Sequence, residues 1–174
     1  KLKKFQDAYG SEYKTEFIKK LSKNIDQKGL LQVFRKGFDD FISNTHFDLA
    51  YFQPDSDSAP EAWENYRHNV FSVINEFSYE TKEHPHRVDL ALFLNGLPII
   101  MIELKKKTAG QRAEFHGTNQ FRYDRNPNEL IFGFNQRTLV YFTIDEDEAY
   151  MATRLDKSET VFFPFNQGYQ KGAG

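Results

Sequence analysis

The segment RVDLALFLNGLPIIMIELKKK, residues 87–107, constrains the fold of this chain more than any other. It has two apolar runs, residues 88–94 and 98–104, on either side of an Asn-Gly pair, which is a strong signal for a β-hairpin. Runs of this length are typical of strands buried in a sheet. A buried carboxylate without a partner is costly, yet Asp89 lies in the first run and Glu103 in the second. The fold must therefore supply something that compensates these charges.

The register of the hairpin decides whether the two acids meet. With a two-residue loop, Asp89 would face Ile102, and the carboxylates would point to opposite sides of the sheet. A three-residue loop or a bulge places Asp89 across from Glu103, with Cβ atoms roughly 5 Å apart. We predict this register, in which Asp89 faces Glu103 and which we call the even register, because two carboxylates so placed can hold one divalent cation. The alternative is a cross-strand ion pair, of the acids with Lys105 or of Glu103 with Arg87.

The pattern Asp-x13-Glu-x-Lys at the end of such a hairpin has a chemical interpretation. Asp89 and Glu103, helped by the backbone carbonyl of Leu104, are expected to bind Mg²⁺, with Mn²⁺ as a substitute. The cation would polarise a phosphoryl oxygen and lower the pKa of a water molecule. Lys105 would orient that water or neutralise charge that develops at the phosphate. The residues alone leave a structural ion-pair network at the sheet edge open as the alternative.

Composition narrows the class of protein. The chain has 174 residues, enough for one domain with a proper core, and its 18 Phe predict a core rich in rings. It has no cysteine, which excludes disulfides and thiolate metal sites and suits a reducing cytoplasm. The longest apolar run, residues 97–102, is too short to cross a bilayer, so we expect a cytoplasmic protein without a membrane partner.

The charge distribution singles out the residues after the hairpin. The net charge is −2, which does not by itself indicate a nucleic-acid binder. Residues 103–125, however, hold six Lys or Arg against three acids. A basic patch beside an acidic pair is what a site for phosphodiester chemistry needs. A solvated charged face is the alternative.

Hydrophobic periodicity predicts the remaining elements. Apolar residues recur every four positions from Phe5 to Leu21, and the pattern resumes after Gly29 and continues to Ile42, so we predict helices there. A short helix is expected around Trp63. The period then changes to two. Strands are predicted at 71–80, 88–94, 98–104, 130–134, 139–144, 149–154 and 161–165, with one helix at 108–123.

This order predicts an α/β domain with a mixed β-sheet flanked by helices. We expect a single domain over residues 1–174, with a helical part at 1–68 and a sheet core at 69–165. The first residue is Lys and the last nine residues resemble a loop, so we interpret the chain as a fragment of a longer polypeptide.

The hairpin resembles the nuclease motif of the R (restriction) subunits of type I restriction enzymes, members of the PD-(D/E)xK superfamily. Their pattern is an Asp-led apolar strand, an F-x-N-G-x-P turn and an apolar strand that ends in Glu-x-Lys. The matching residues here are Asp89, Phe93, Asn95, Gly96, Pro98, Glu103 and Lys105. The resemblance continues through residues 119–155 and the stretch FFPFNQG, residues 162–168.

The resemblance implies a restriction endonuclease-like fold and a role for each motif residue. Asp89, Glu103 and Lys105 would be catalytic, together with Gln120, which matches the Gln of the family's Gln-x3-Tyr motif. Tyr123 is three residues after Gln120, where the family spacing is four. The residues expected to contact DNA, with solvated side chains as the alternative, are Lys106, Lys107, Arg122, Tyr123 and Arg125.

The resemblance also implies the activity and its setting. The domain would hydrolyse phosphodiester bonds of double-stranded DNA without reading its sequence. In the full-length parent it would be coupled to ATP-dependent motor domains of the same chain, and to modification (M) and specificity (S) subunits. These 174 residues contain no GxxxxGK[ST] motif, so ATP binding belongs to the parent. Two alternatives remain: another nuclease of the superfamily, and an inactive DNA-binding or docking module of the same fold.

Overall fold

The computed structural model describes residues 1–79 and 86–165, and the chain divides into two compact units, residues 1–70 and 71–174. The end of the FFPFNQG stretch, residues 166–168, lies outside the described part. The expected single domain stays a prediction. No helix among the described residues has the length and apolar character needed to cross a membrane.

The first unit is mainly helical, as predicted. Phe5 is buried in a cluster of aromatic rings, in which the ring centroids of Phe5 and Phe17 lie 6.2 Å apart and both rings contact Phe47. A short 3-10 turn, Gly10–Glu12, joins the first two helices. The helices are α1 (Leu2–Tyr9), α2 (Tyr13–Lys28), α3 (Leu30–Lys36) and α4 (Pro60–Arg67).

The predicted continuation of the helix to Ile42 is wrong. Helix α3 ends at Gly37, whose φ of 61° is left-handed and whose missing Cβ leaves room for the Phe47 backbone carbonyl. Two short antiparallel strands follow, β1 (Phe38–Asp40) and β2 (Thr45–Phe47). Ile42 lies in the turn between them. It is not part of a helix with a buried face, and its side chain is 71% exposed.

The second unit contains a six-stranded mixed sheet, which confirms the predicted α/β class. Neighbouring strands are antiparallel except for the central pair, which is parallel. A parallel pair needs a crossover connection. In sheet order the strands are β3 (Phe71–Ser78), β4 (Arg87–Leu94), β5 (Leu97–Leu104), β6 (Val140–Ile144), β7 (Ala149–Ala152) and β8 (Phe163–Pro164).

The β4–β5 hairpin reaches the even register through a bulge. Its loop has two residues, so the three-residue loop is not formed. The register then shifts by one, with Ile99 as the extra residue. Beyond the bulge Leu90 pairs with Ile102, the register in which Asp89 comes opposite Glu103. The bulge therefore brings the two acids to the same side of the sheet.

The crossover between β5 and β6 begins with a 3-10 turn, Lys107–Ala109, and continues as a helix. This helix has π-type hydrogen bonding in Ala113–Gly117 and in Gln120–Asp124, and α-type geometry in the two residues between; we call it the π helix. The predicted helix at 108–123 therefore exists but begins later. Glycine is needed at position 117, because a Cβ there would overlap the Thr143 side chain.

Two predictions about strands are corrected. Residues 130–134 form turns instead of a strand, and Asn135 has a left-handed φ of 57°. The alternating pattern of β3 is typical of a half-buried strand, but β3 lies at the edge of the sheet, and its Phe71 and Val73 are more than half exposed. The core of the second unit consists of Val88, Ala91, Phe93, Met101, Phe121, Phe132, Tyr141 and Leu155.

Candidate active site

The two acids of the hairpin are held at one end of the paired strands. Asp89 is the third residue of β4 and is half-buried, and Glu103 is the last residue but one of β5. The backbone N–H of Leu104 donates a hydrogen bond of 2.6 Å to Asp89 Oδ2. This bond crosses the hairpin and orients the Asp89 carboxylate beside the end of β5.

Glu103 is fully buried, and its two oxygens have different surroundings. Oε1 accepts hydrogen bonds from Arg125 Nη2, at 2.5 Å, and from Arg125 Nε, at 3.2 Å. Within the described residues no hydrogen-bond donor reaches Oε2. Burial raises the pKa of Glu103 to about 7, the charge of Asp89 acts in the same direction, and Arg125 and Lys105 oppose both. The carboxylate therefore presents one buried oxygen that lacks a donor.

Lys105 lies next to that oxygen. Its side chain is 9% exposed, and its Nζ is 3.9 Å from Glu103 Oε2. The same Nζ donates a hydrogen bond of 2.5 Å to Gln120 Oε1 on the π helix. Of the predicted catalytic residues, Lys105, Glu103 and Gln120 thus form one connected group, and Asp89 is joined to it through Leu104.

This arrangement fits a divalent cation. A buried carboxylate oxygen without a donor is unfavourable unless a cation or proton satisfies it, and a second carboxylate lies across the strand pair. Among the residues that the structure describes, no group of three or more His, Cys, Asp or Glu is placed to hold a metal. A cation here would therefore take its remaining ligands from backbone carbonyl, water or substrate oxygens, which are ligands that Mg²⁺ accepts.

The residues predicted to contact DNA fall into two groups. Lys106 and Tyr123 are exposed, the latter by 68%. Lys107 and Arg122 already have protein partners. Lys107 Nζ forms an ion pair with Asp147, and Arg122 donates hydrogen bonds of 3.0 and 3.2 Å to a backbone carbonyl oxygen, that of residue 160.

The expectation for Arg125 is corrected, because its side chain is only 4% exposed and is not on a surface that DNA can reach. Besides the two bonds to Glu103, its guanidinium donates to the Arg87 carbonyl oxygen at 2.5 Å and to the Tyr79 hydroxyl at 3.3 Å. Arg125 follows the π helix directly, and no periodicity marks that position as inward-facing. Its contact with Glu103 spans 22 positions of the sequence, so it depends on the fold.

The acidic turn at residues 145–148 joins the antiparallel strands β6 and β7. The sequence gives no sign that Asp145 also contacts the π helix. Its buried carboxylate accepts hydrogen bonds from the backbone N–H of Ala113, at 2.8 Å, and from those of Asp147 and Glu148. The pKa of Asp145 is lowered, since these bonds and Lys107 outweigh the effect of burial. Asp145 therefore caps the helix that carries Gln120.

The fold and the site together define an α/β protein with two carboxylates and a lysine at the end of a bulged hairpin. Residues 1–160 match the family described as the type I restriction enzyme R protein N terminus. The match covers most of the chain, and the chain belongs to this family.

Two relatives extend this assignment. The endonuclease subunit of the type I restriction enzyme EcoprrI from Escherichia coli is 27% identical over 146 residues, which cover 82% of this chain and 44% of the relative. A protein from Methanocaldococcus jannaschii, provisionally named the MjaVIIIP endonuclease subunit, is 29% identical over 153 residues, or 80% of this chain and 14% of that protein. The chain thus spans less than half of either relative. No solved structure is a significant match.

Proposed function

We propose that this chain is a metal-dependent endonuclease domain with the PD-(D/E)xK fold, which hydrolyses phosphodiester bonds of duplex DNA without sequence specificity of its own. One observation carries the proposal. The buried Oε2 of Glu103, which no donor of the described residues reaches, lies 3.9 Å from Lys105 Nζ, and Asp89 is across the hairpin. A purely structural ion-pair network would be expected to leave no such oxygen unsatisfied.

In this proposal each residue has a distinct task. Asp89, Glu103 and the backbone carbonyl of Leu104 would hold Mg²⁺, for which Mn²⁺ could substitute. The bound cation would polarise the scissile phosphate and make an attacking water more acidic. Lys105 would place its ammonium group against the phosphate, where negative charge grows in the transition state. Gln120 would hold Lys105 in that position through its 2.5 Å hydrogen bond.

We propose that exposed groups near this end of the sheet contact the DNA backbone. Lys106 and Tyr123 have exposed side chains and can approach phosphate groups. Lys107 and Arg122 would first have to exchange their protein partners for phosphate. Contacts to phosphate do not read sequence, which agrees with a nuclease whose target is chosen elsewhere.

The setting in a longer protein is part of the proposal. The relatives are named as endonuclease subunits of type I restriction enzymes. We propose that a longer parent couples this domain to ATP-dependent motor domains and to modification and specificity subunits, which would select the DNA, and that it works in the cytoplasm. The isolated domain is then expected to cut DNA poorly, since an unrestrained nuclease would damage the genome of its host.

The test is a calorimetric titration of Mg²⁺ or Mn²⁺ into the wild-type chain and into Asp89→Ala, with and without duplex DNA, together with a plasmid-nicking assay. We expect metal binding to the wild type and loss of both binding and nicking in the variant. Glu61→Ala is the matched control, because it removes an exposed carboxylate from α4 and should change neither quantity.

Each other outcome has a definite meaning. If metal binding depends on Asp89 but the wild type does not nick DNA, the metal site stands, and DNA cleavage would require the parent complex. Equal or absent metal binding in wild type and variant, with DNA present, would contradict the proposed site. The acids would then be structural, and the domain would be a DNA-binding or docking module.

A further inference from the structure

Arg125 uses all three nitrogens of its guanidinium inside the protein. Nε and Nη2 both donate to the same oxygen of Glu103, Nη2 also donates to the Arg87 carbonyl, and Nη1 donates to the Tyr79 hydroxyl. The Tyr79 ring lies below the guanidinium, with its centroid 5.9 Å from Cζ. A planar group held at so many points has one orientation. Its orientation therefore determines that of the Glu103 carboxylate.

As a result, one oxygen of Glu103 binds Arg125 and the other is left for a cation. Oε1 is occupied by Arg125 at 2.5 Å, and Oε2 is buried without a donor from the described residues. The two oxygens of Asp89 also differ, since Oδ2 accepts a hydrogen bond of 2.6 Å from the Leu104 N–H. A carboxylate that bridges two metal ions usually binds each ion with a different oxygen. Neither acid is therefore arranged as a bridge.

The charges of the group lead to the same conclusion. Asp89 and Glu103 supply two negative charges, and Arg125 and Lys105, which contact Glu103, supply two positive ones. These charges cancel, so one divalent ion can be accommodated, and the negative phosphate of a substrate would strengthen its binding. A second would add charge to a site that has no further carboxylate among the described residues.

We propose that Arg125 is a positioning residue, which occupies one oxygen of Glu103 and thereby makes this carboxylate a monodentate ligand for a single divalent ion. This inference rests on the proposed function, since it assigns Arg125 to the same metal site. It also gives Arg125 a role different from the DNA contact expected for it. Groups that orient a metal ligand typically change metal affinity by about 10–100-fold when they are altered.

The test is a titration of Mn²⁺ into the 174-residue chain, followed by electron paramagnetic resonance, which measures free Mn²⁺ directly. The wild type is expected to bind one ion per chain. Arg125→Lys keeps the charge but loses the planar fork, and should bind Mn²⁺ roughly 10-fold more weakly. Arg125→Met should also bind Mn²⁺ more weakly, although the loss of its positive charge would by itself favour a cation, because Glu103 is no longer held in one orientation.

The matched control is Arg154→Lys, the same chemical change at a side chain that is 62% exposed and pairs with Asp156; its Mn²⁺ affinity should equal that of the wild type. Circular dichroism shows which variants are folded at the temperature of the titration, so a loss of affinity in a folded variant is not a loss of structure. Weaker binding by folded Arg125→Met, against the electrostatic effect of losing a positive charge, is a result that electrostatics alone does not predict.

The outcomes separate this inference from the function on which it rests. Two Mn²⁺ ions of comparable affinity in the wild type would overturn the inference without any variant. An Arg125→Lys affinity within about twofold of the wild type, or an equal loss in Arg154→Lys, would overturn it while the metal site stands. No Mn²⁺ binding by the wild type, with and without DNA, would overturn the inference and the proposed function together.

Discussion

The electrostatics of the site depend largely on one residue, Glu103. Its carboxylate is fully buried, and burial raises its pKa to about 7 even though Arg125 and Lys105 favour the ionised form. A buried carboxylate is tolerated when it is paired and hydrogen-bonded or when it binds a metal. Glu103 satisfies the first condition at Oε1 only. A cation at Oε2 would satisfy the second.

Gly117 allows the π helix to lie against β6. Whether its replacement raises or lowers the free energy of unfolding tests this packing. In a helix, Gly→Ala normally stabilises by about 1 kcal/mol. Here a Cβ would overlap the Thr143 side chain, and Thr143 is held because its hydroxyl donates to the Ala113 carbonyl oxygen at 3.0 Å. Gly117→Ala should therefore lower the free energy of unfolding, by about 1–3 kcal/mol, in urea titrations. A stabilised variant would contradict the observed packing.

At the scale of elements, the π helix is positioned by its contacts with the sheet. Asp145, at the end of β6, caps the first turn of the helix, and Thr143 binds the carbonyl oxygen of the same turn. At its other end the helix leads directly to Arg125, whose guanidinium binds Glu103 on β5. The helix is thus held at both ends, and Gln120 between them is brought to Lys105.

Removal of the cap should loosen the beginning of this helix. Asp145→Ala leaves three backbone N–H groups without their acceptor and should lower the free energy of unfolding by about 1–3 kcal/mol. Amide exchange in Ala113–Gly117 should become faster, as measured by hydrogen–deuterium exchange. Asp147→Asn is the control, since its side chain is 59% exposed and pairs with Lys107 on the surface. Equal effects of the two substitutions would show that the cap contributes nothing.

At the scale of the whole molecule, the chain has two compact units, each with its own buried residues. The second contains the candidate site. The first is stabilised by a cluster of aromatic rings and by a buried acid, Asp40 on β1, which joins the β1–β2 hairpin to helix α2 through Lys20 at 2.9 Å. The stability of the first unit can therefore be tested without altering the site.

Asp40 should make this stability depend on pH. Burial opposes its ionisation, but hydrogen bonds from Ser43, Lys20 and Tyr9 outweigh burial and lower its pKa from 3.8 to about 2. The folded state thus favours the ionised form, which stabilises the unit above pH 3.8, and this contribution is lost as the pH falls towards about 2. Asp40→Asn should lower the free energy of unfolding by up to about 2 kcal/mol at neutral pH.

The measurement is urea unfolding across acid pH, with hydrogen exchange in residues 1–70. The difference between Asp40→Asn and wild type should shrink as the pH falls through this range. Asp39→Asn is the control, because that side chain is 63% exposed and should contribute less than about 1 kcal/mol. A difference that stays constant with pH would show that the charge of Asp40 is not what stabilises the unit.

Local sequence determined much of this architecture. The four-residue spacing in the first 36 residues predicted helices, because a helix buries one face whatever surrounds it. The Asn-Gly pair predicted the hairpin, since Asn95 and Gly96 both adopt the left-handed φ that its turn requires. The expectation that Asp89 and Glu103 share a face predicted the even register, which the structure reaches through a bulge. These features depend on neighbours within one element or one turn.

Only the tertiary structure decided the rest. Residues 130–134 have the composition of a strand but form turns, and β3 alternates as a half-buried strand does but lies exposed at the sheet edge. Arg125 was predicted to contact DNA, yet it is buried and hydrogen-bonded to Glu103, which is 22 positions away in sequence. Period and composition specify which residues can be buried. Which partner buries them depends on contacts between distant segments, and these form only when the whole chain folds.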